Sequence, residues 1–128
     1  MTPAPFATID EAGIAALVHA FYRRVRADAL LAPLFDAAIA EADWQRHLGV
    51  MVDFWSSVML TTGRYKGTPM AKHMALPGLE GAHFERWLAL WRETTDSVFA
   101  PEAAAAFQDR AARIARSLQY GLQYRPAA

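Results

Sequence analysis

Apolar residues recur at steps of three and four along four stretches of the chain, which is the spacing of one buried face of an α-helix. The first stretch opens with Thr8 and Glu11, a pair that fits a capping box. The second covers residues 42–60, the third covers 82–99, and the fourth begins at Pro101, a residue suited to the first turn of a helix. No alternating run indicates a strand. The pattern therefore predicts an all-α protein.

The segments around these helices are expected to be irregular. Residues 29–35 contain Pro33, which lets the apolar residues after it turn into the core. The Pro/Ala-rich lead, residues 1–7, and the end of the chain, residues 123–128, are expected to be loose. At 128 residues the chain, 1–128, is predicted to form a single domain.

A short additional helix is predicted within residues 63–76. A basic turn between glycines leads to Thr68 and Pro69, a plausible cap followed by a residue suited to the first helical position. His73 falls one turn later, and Leu-Pro-Gly at residues 76–78 ends the helix. A histidine on so short and constrained a helix could ligate a metal, but it could also be an ordinary surface or interior residue.

Two polar side chains fall on apolar helix faces. Tyr22 lies on the apolar face of the first helix, and His47 shares a face of the second with Met51 and Phe54. Each has a purely structural interpretation, as a core tyrosine with a tethered hydroxyl or as an imidazole at the edge of the core. Together with His73, however, they bring three polar rings inward from three different elements.

The histidines favour a flat cofactor over a mononuclear zinc site. Zinc would need a third or fourth ligand, and only His19 and His83 remain besides His47 and His73. His19 falls beside the arginine-bearing side of its helix. A planar group with one axial ligand and an open opposite face fits the pattern better.

The composition narrows the class of protein. Hydrophobic residues make up 54% and aromatic residues 12% of the chain, which suggests a thick core or an apolar cavity. Thirteen basic residues balance thirteen acidic ones with no basic block, which argues against a nucleic-acid partner. The absence of cysteine excludes disulfides, thiolate ligands and the cysteine attachment of c-type haem. Without a signal-peptide pattern or a membrane-length apolar stretch, we expect a cytoplasmic protein with no membrane partner.

Several short motifs occur together along the chain. They are Phe21-Tyr22 with Val25 and Asp28, Leu31-x-Pro33-Leu34-Phe35, Trp44-x-x-His47-x-x-x-Met51-x-x-Phe54-Trp55, Gly63-Arg64-Tyr65-x-Gly67-x-Pro69-x-x-x-His73, and His83-Phe84-x-x-Trp87-Leu88. With these motifs the sequence resembles the truncated haemoglobins, and most of all the third group of that family, over nearly its whole length. The Gly-Gly pairs of the other two groups are missing.

The resemblance implies a two-over-two helical sandwich around a non-covalent b-type haem. It makes His73 the proximal iron ligand, with His83 as a rival, and it places Trp87 on the distal side with Tyr22 and His47. Basic residues near His73, including Lys66, are natural partners of the haem propionates or else ordinary solvated charges. The residues predicted to bind the cofactor are Tyr22, Phe35, His47, Met51, Phe54, Arg64, Lys72, His73 and Trp87.

Three functions remain open at this point. The first is reversible binding of dioxygen, carbon monoxide, nitric oxide or similar ligands at a five-coordinate iron. The second is an enzyme on the same site, which would turn over nitric oxide with dioxygen or act on peroxide, with an unidentified reductase as a possible partner. The third is a haem-free helical sensor or interaction module.

Overall fold

The computed structural model describes residues 5–67 and 79–123 of the chain. No helix in this part is both long and apolar enough to cross a membrane. The four predicted long helices are confirmed. Where the sequence specified a helix end, the observed end lies within two or three residues of it. The predicted short helix with His73 lies outside the described residues. The helices are α1 (Glu11–Ala27), α2 (Ala32–Ala38), a 3-10 turn (Glu41–Asp43), α3 (Trp44–Leu60), α4 (Gly81–Val98) and α5 (Pro101–Gln123).

Helix α1 is capped by Asp10, so the prediction that Thr8 and Glu11 form the capping box is wrong. The Asp10 carboxylate accepts a hydrogen bond from the backbone N–H of Gly13 at 2.8 Å. An aspartate in this position satisfies one of the free amides of the first turn, as a threonine would. The Glu11 side chain is thereby free for another partner, Arg64.

The stretch after α1 is more regular than expected. Residues 29–35 were predicted to be irregular, but α2 begins within them and carries Pro33 in its first turn. The buried carboxylate of Asp28 accepts the backbone N–H of Leu31 at 3.0 Å, which fixes the corner just before α2. A proline in the first turn costs no helical hydrogen bond, so it starts this helix rather than preventing it.

Asp28 also joins this corner to α4. The Nε of Arg86 donates to its carboxylate at 2.7 Å. Burial would raise the pKa of the Asp28 carboxyl, but hydrogen bonds from Arg86 and from the backbone of Leu31 and Leu30 outweigh it and lower the pKa. The carboxylate therefore stays charged, and α1, α2 and α4 are held in one arrangement.

Aromatic rings form the centre of the core, where α1 packs on α3 and α4 and α4 packs on α5. Trp55 of α3 and Trp91 of α4 stack with their ring centres 4.5 Å apart. Phe21 meets Trp91 edge-on at 4.9 Å. The indole N–H of Trp91 donates to the carbonyl of Phe107 at 3.2 Å, which satisfies this buried donor and ties α4 to α5.

The chain before α1 is held against the C-terminal end of α4. Phe6 belongs to the lead expected to be loose, yet its N–H donates to the carbonyl of Val98 and its carbonyl accepts from Ala100. Its ring packs on Phe99 at 5.8 Å. Phe99 in turn lies so close to Gly13 that a Cβ there would come within 2.8 Å of its ring. The start of α1 and the end of α4 therefore pack in direct contact.

Candidate functional site

Four rings from α1, α2 and α3 form an aromatic group that we name the Tyr22 cluster, made of Tyr22, Phe35, Trp44 and His47. Tyr22 is at its centre and contacts His47 edge-on with ring centres 5.0 Å apart. Phe35 and Trp44 contact Tyr22 at 5.9 and 5.8 Å. The structure thus brings together three of the predicted site residues from three helices, and it adds Trp44.

The Tyr22 side chain is 5% exposed. Within residues 5–67 and 79–123 no partner is found for its hydroxyl, so the core-tyrosine interpretation, which expects a tethered hydroxyl, gains no support there. Burial raises the pKa of the phenol. Tyr22 therefore remains a neutral hydrogen-bond donor throughout the physiological pH range.

His47 carries an unpartnered polar atom. Its Nε2 is buried and finds no hydrogen-bond partner in the described part of the chain. Burial lowers the pKa of the imidazole, and the nearby charge of Arg46 lowers it further, so the ring is neutral at pH 7. A buried polar atom without a partner is uncommon in native proteins, so this nitrogen marks a position where a further polar group fits beside the described residues.

Trp87 and Trp91 are one turn apart on α4 and differ in the hydrogen bonding of their indole N–H groups. Trp87 stacks parallel to Trp91 at 5.7 Å and meets Phe21 edge-on at 5.6 Å. Phe21 also contacts Tyr22, at 5.1 Å, and so links the Tyr22 cluster to Trp87. Trp91 donates its N–H to a backbone carbonyl. No hydrogen bond from the Trp87 indole N–H is found in the described part of the chain.

Half-buried apolar residues continue along α3 from His47. Met51 and Phe54 pack against the core with one side and keep part of their surface accessible. They lie four and seven positions after His47 and therefore share its face of the helix. A row of half-buried apolar side chains beside an unpartnered imidazole fits contact with a flat apolar group.

The predicted basic and metal-ligating residues are described only in part. Arg64 donates to the carboxylates of Glu11 and Asp53. Lys72 and His73 lie outside the described residues, so their roles stay predictions, as does a propionate contact for Arg64.

His83, the rival ligand, is engaged at the start of α4. Its Nδ1 accepts the backbone N–H of Glu80 at 3.0 Å, while the Glu80 side chain accepts from the amide of His83, which completes a capping box. In the described ranges no group of three or more histidine, aspartate or glutamate side chains could hold a metal ion. His83 therefore has a structural role at the start of α4.

Trp44 is the residue of the cluster that sequence reasoning missed. It is 4% exposed, contacts His47 at 5.5 Å as well as Tyr22, and is covered by the guanidinium of Arg26 at 4.4 Å. The available signal was its position three residues before His47 on the same helix face. An aromatic residue at helical spacing is assigned to the core by default, and only the three-dimensional contacts place it at the site.

Two comparisons with known proteins find relatives of the chain, although no family model matches it. The group 3 truncated hemoglobin ctb of Campylobacter jejuni is 37% identical over 116 residues, which cover 89% of this chain and 91% of that protein. The crystal structure of group III truncated hemoglobin from Campylobacter jejuni matches with a TM-score of 0.89 and 35% identity, over 98% of this chain and 99% of the other. The predicted two-over-two truncated-globin fold is thereby confirmed. The chain belongs to the group III truncated haemoglobins, a family of haem-binding globins.

Proposed function

We propose that the chain binds haem b without a covalent link and, through it, binds dioxygen and similar diatomic ligands such as carbon monoxide and nitric oxide. The observation that carries this proposal is the buried, unpartnered Nε2 of His47 beside the Tyr22 ring. Leaving such an atom without a partner costs free energy in the folded state, about 1–3 kcal/mol. A polar ligand held next to His47 and Tyr22 removes that cost.

The polar residues of the site suit a ligand whose outer atom becomes partly negative. When bound, haem supplies an iron with an axial position open to a diatomic gas. Tyr22 presents an O–H donor and Trp87 an N–H donor, and both can stabilise negative charge; Trp87 can only donate. His47 is neutral and can donate or accept, depending on which ring nitrogen carries the proton.

The apolar residues of the site hold a flat group and keep water away from it. Phe35, Met51 and Phe54 supply apolar contacts on two helices, and Trp44, covered by Arg26, packs against His47. We propose His73 as the axial ligand on the motif that the chain shares with the family. This set leaves the opposite face, with Tyr22, to the gas.

The same donors favour a second candidate function, the turnover of nitric oxide with dioxygen or chemistry on peroxide. Donors near a ligand that gains negative charge stabilise the charged state. This function would require a reductase, and consumption of nitric oxide by the reduced, dioxygen-loaded protein measures it.

The first test is the absorption spectrum of the purified protein in the ferric, ferrous and carbon monoxide forms. We expect a ferrous spectrum of five-coordinate, imidazole-ligated haem that changes on addition of carbon monoxide. Extraction of the haem into acid acetone should succeed, because the chain has no cysteine to hold it covalently. A protein that takes up no haem would contradict the proposal and favour the haem-free module.

Replacing Trp87 by phenylalanine should shift the stretching frequency of bound carbon monoxide to higher wavenumber. An N–H dipole near the outer oxygen favours electron donation from the metal into the ligand and weakens its bond, so removing the dipole strengthens that bond. Infrared spectroscopy of the carbon monoxide form measures the shift. Trp91→Phe is the matched control, because its indole already donates to Phe107 and its removal should leave the frequency unchanged. An unshifted Trp87→Phe variant would assign Trp87 to packing alone.

A further inference from the structure

The loop that follows α3 has a specific conformation, set partly by its own backbone. Thr61 adopts the left-handed region at φ 55° and ends the helix, and Gly63 follows at φ 70°. Left-handed backbone is disfavoured for a β-branched residue and needs support from the surrounding structure. We name residues 61–67 the α3 loop.

Side chains of α3 bind this loop from one side. The Oγ of Ser56 and the hydroxyl of Thr62 lie 2.8 Å apart in a hydrogen bond. The Oγ of Ser57 accepts the backbone N–H of Tyr65 at 2.9 Å. The Tyr65 ring then meets Phe54 edge-on with centres 5.1 Å apart, so the loop contacts a residue of the proposed haem site.

Arg64, a residue of the loop, ties it to two helices. Its Nη1 and Nη2 donate to the two carboxylate oxygens of Glu11 at 2.5 and 2.8 Å, and its Nε donates to Asp53 at 3.0 Å. Each of its three nitrogens is therefore engaged, two of them in the paired geometry that suits a carboxylate. The contact joins the loop to the first turn of α1 and to the middle of α3.

We propose that Arg64 is a positioning residue, which fixes the α3 loop through Glu11 and Asp53 and thereby determines how firmly the protein holds haem. This inference rests on the proposed function. The loop acts on the site in two ways: it keeps Tyr65 against Phe54, and it sets where the chain enters the segment that contains His73, nine residues after Arg64. This positioning role of Arg64 requires the carboxylates of Glu11 and Asp53, whereas a direct contact of Arg64 with a haem propionate would not.

The ion pairs of Arg64 with Glu11 and Asp53 join groups of opposite charge. The hydrogen bond from Arg64, opposed by burial and supported by its charge, lowers the pKa of Glu11, so this carboxylate stays ionised at neutral pH. Arg64, Glu11 and Asp53 are all partly exposed, with 42%, 51% and 45% of the side chain accessible. Salt should therefore weaken the contact.

The test compares Arg64→Gln, Glu11→Gln and Asp53→Asn, with Arg113→Gln as the matched control, because Arg113 pairs with Asp109 within α5. The rate of haem transfer from the ferric protein to excess apomyoglobin measures retention. Resonance Raman spectroscopy of the ferrous protein measures the iron–imidazole stretching frequency. We expect Arg64→Gln, Glu11→Gln and Asp53→Asn each to lose haem about two- to fivefold faster than wild type, within the range that exposed ion pairs cover.

Double variants separate this role from its alternatives. If Arg64 acts through Glu11, the pair Arg64→Gln, Glu11→Gln should lose haem no faster than Arg64→Gln alone, and the exchanged pair Arg64→Glu, Glu11→Arg should recover part of the retention. High salt should shrink the difference from wild type, and Arg113→Gln should retain haem normally with an unshifted iron–imidazole mode.

Different results would overturn different statements. Faster loss in Arg64→Gln with no change in Glu11→Gln and Asp53→Asn would overturn the positioning role and support a direct propionate contact. Wild-type haem loss and an unchanged iron–imidazole mode in all variants would overturn the positioning role and leave the proposed function intact. A wild-type protein that takes up no haem would overturn both.

Discussion

Replacing His73 by alanine is expected to abolish the imidazole-ligated ferrous spectrum and to leave haem weakly held. The reason is that in the proposed site His73, placed by the resemblance of the motif Gly-x-Pro-x-x-x-His to that of the truncated haemoglobins, would supply the one strong axial ligand. The apolar contacts of Phe35, Met51 and Phe54 would remain, so some haem should still bind. Absorption and resonance Raman spectra of the ferrous variant measure the loss of the iron–imidazole mode.

His83→Ala is the matched control for this experiment. The His83 ring accepts the backbone N–H of Glu80 at the start of α4, so its removal should cost some helix stability and leave the haem spectrum nearly intact. Free imidazole added to His73→Ala should restore the axial mode by occupying the emptied position. A reversed pattern, with the mode lost in the His83 variant and kept in the His73 variant, would refute the ligand assignment and the site that depends on it.

The long helices could be predicted because each buries a wide apolar stripe, which is a strong periodic signal in the sequence. Helix α2 could not, because seven residues with a proline in the first turn carry too few repeats to show a period. The turn before it is fixed by Asp28, which accepts the backbone N–H groups of Leu30 and Leu31 and is itself bound by Arg86 of α4, 58 residues away in the chain. Contacts between distant residues decide such short elements.

The site, like the fold, could be predicted from the sequence only in part. The contact between Tyr22 and His47 could be anticipated, since both are polar residues on apolar faces of long helices. Trp44 and Arg64 could not be assigned in this way. Trp44 has the same spacing as a core residue. The partner of Arg64, Glu11, lies 53 residues earlier in the chain, and the sequence pattern placed Glu11 in a capping box that Asp10 replaces. Periodicity identifies a buried face, but it does not tell which buried residues touch a ligand.

Replacing Tyr22 by phenylalanine should make dioxygen dissociate roughly 10- to 100-fold faster. A hydrogen bond to a partly charged acceptor contributes about 1.5–3 kcal/mol, and a change of about 1.4 kcal/mol is tenfold in an equilibrium. The loss should fall mainly on the off-rate, because the hydrogen bond forms only after the gas is bound. Phenylalanine keeps the ring contacts with Phe35, Trp44 and His47, so the fold should survive.

Carbon monoxide is the control ligand for Tyr22→Phe, because its outer atom carries less negative charge than that of dioxygen and gains less from a donor. Its release should change little. If Tyr22 were only a core residue, the variant should instead lose some stability and affect both gases equally and slightly. Since burial raises the pKa of the Tyr22 hydroxyl, the rate of dioxygen release from the wild-type protein should not change between neutral and mildly alkaline pH through loss of this proton.

Stopped-flow measurement of the release of both gases from Tyr22→Phe, Trp87→Phe and the double variant decides between these outcomes. If the off-rate of the double variant rises by less than the product of the two single-variant increases, His47 takes over as donor. Dioxygen off-rates equal to wild type in all three variants would refute hydrogen bonding by this site.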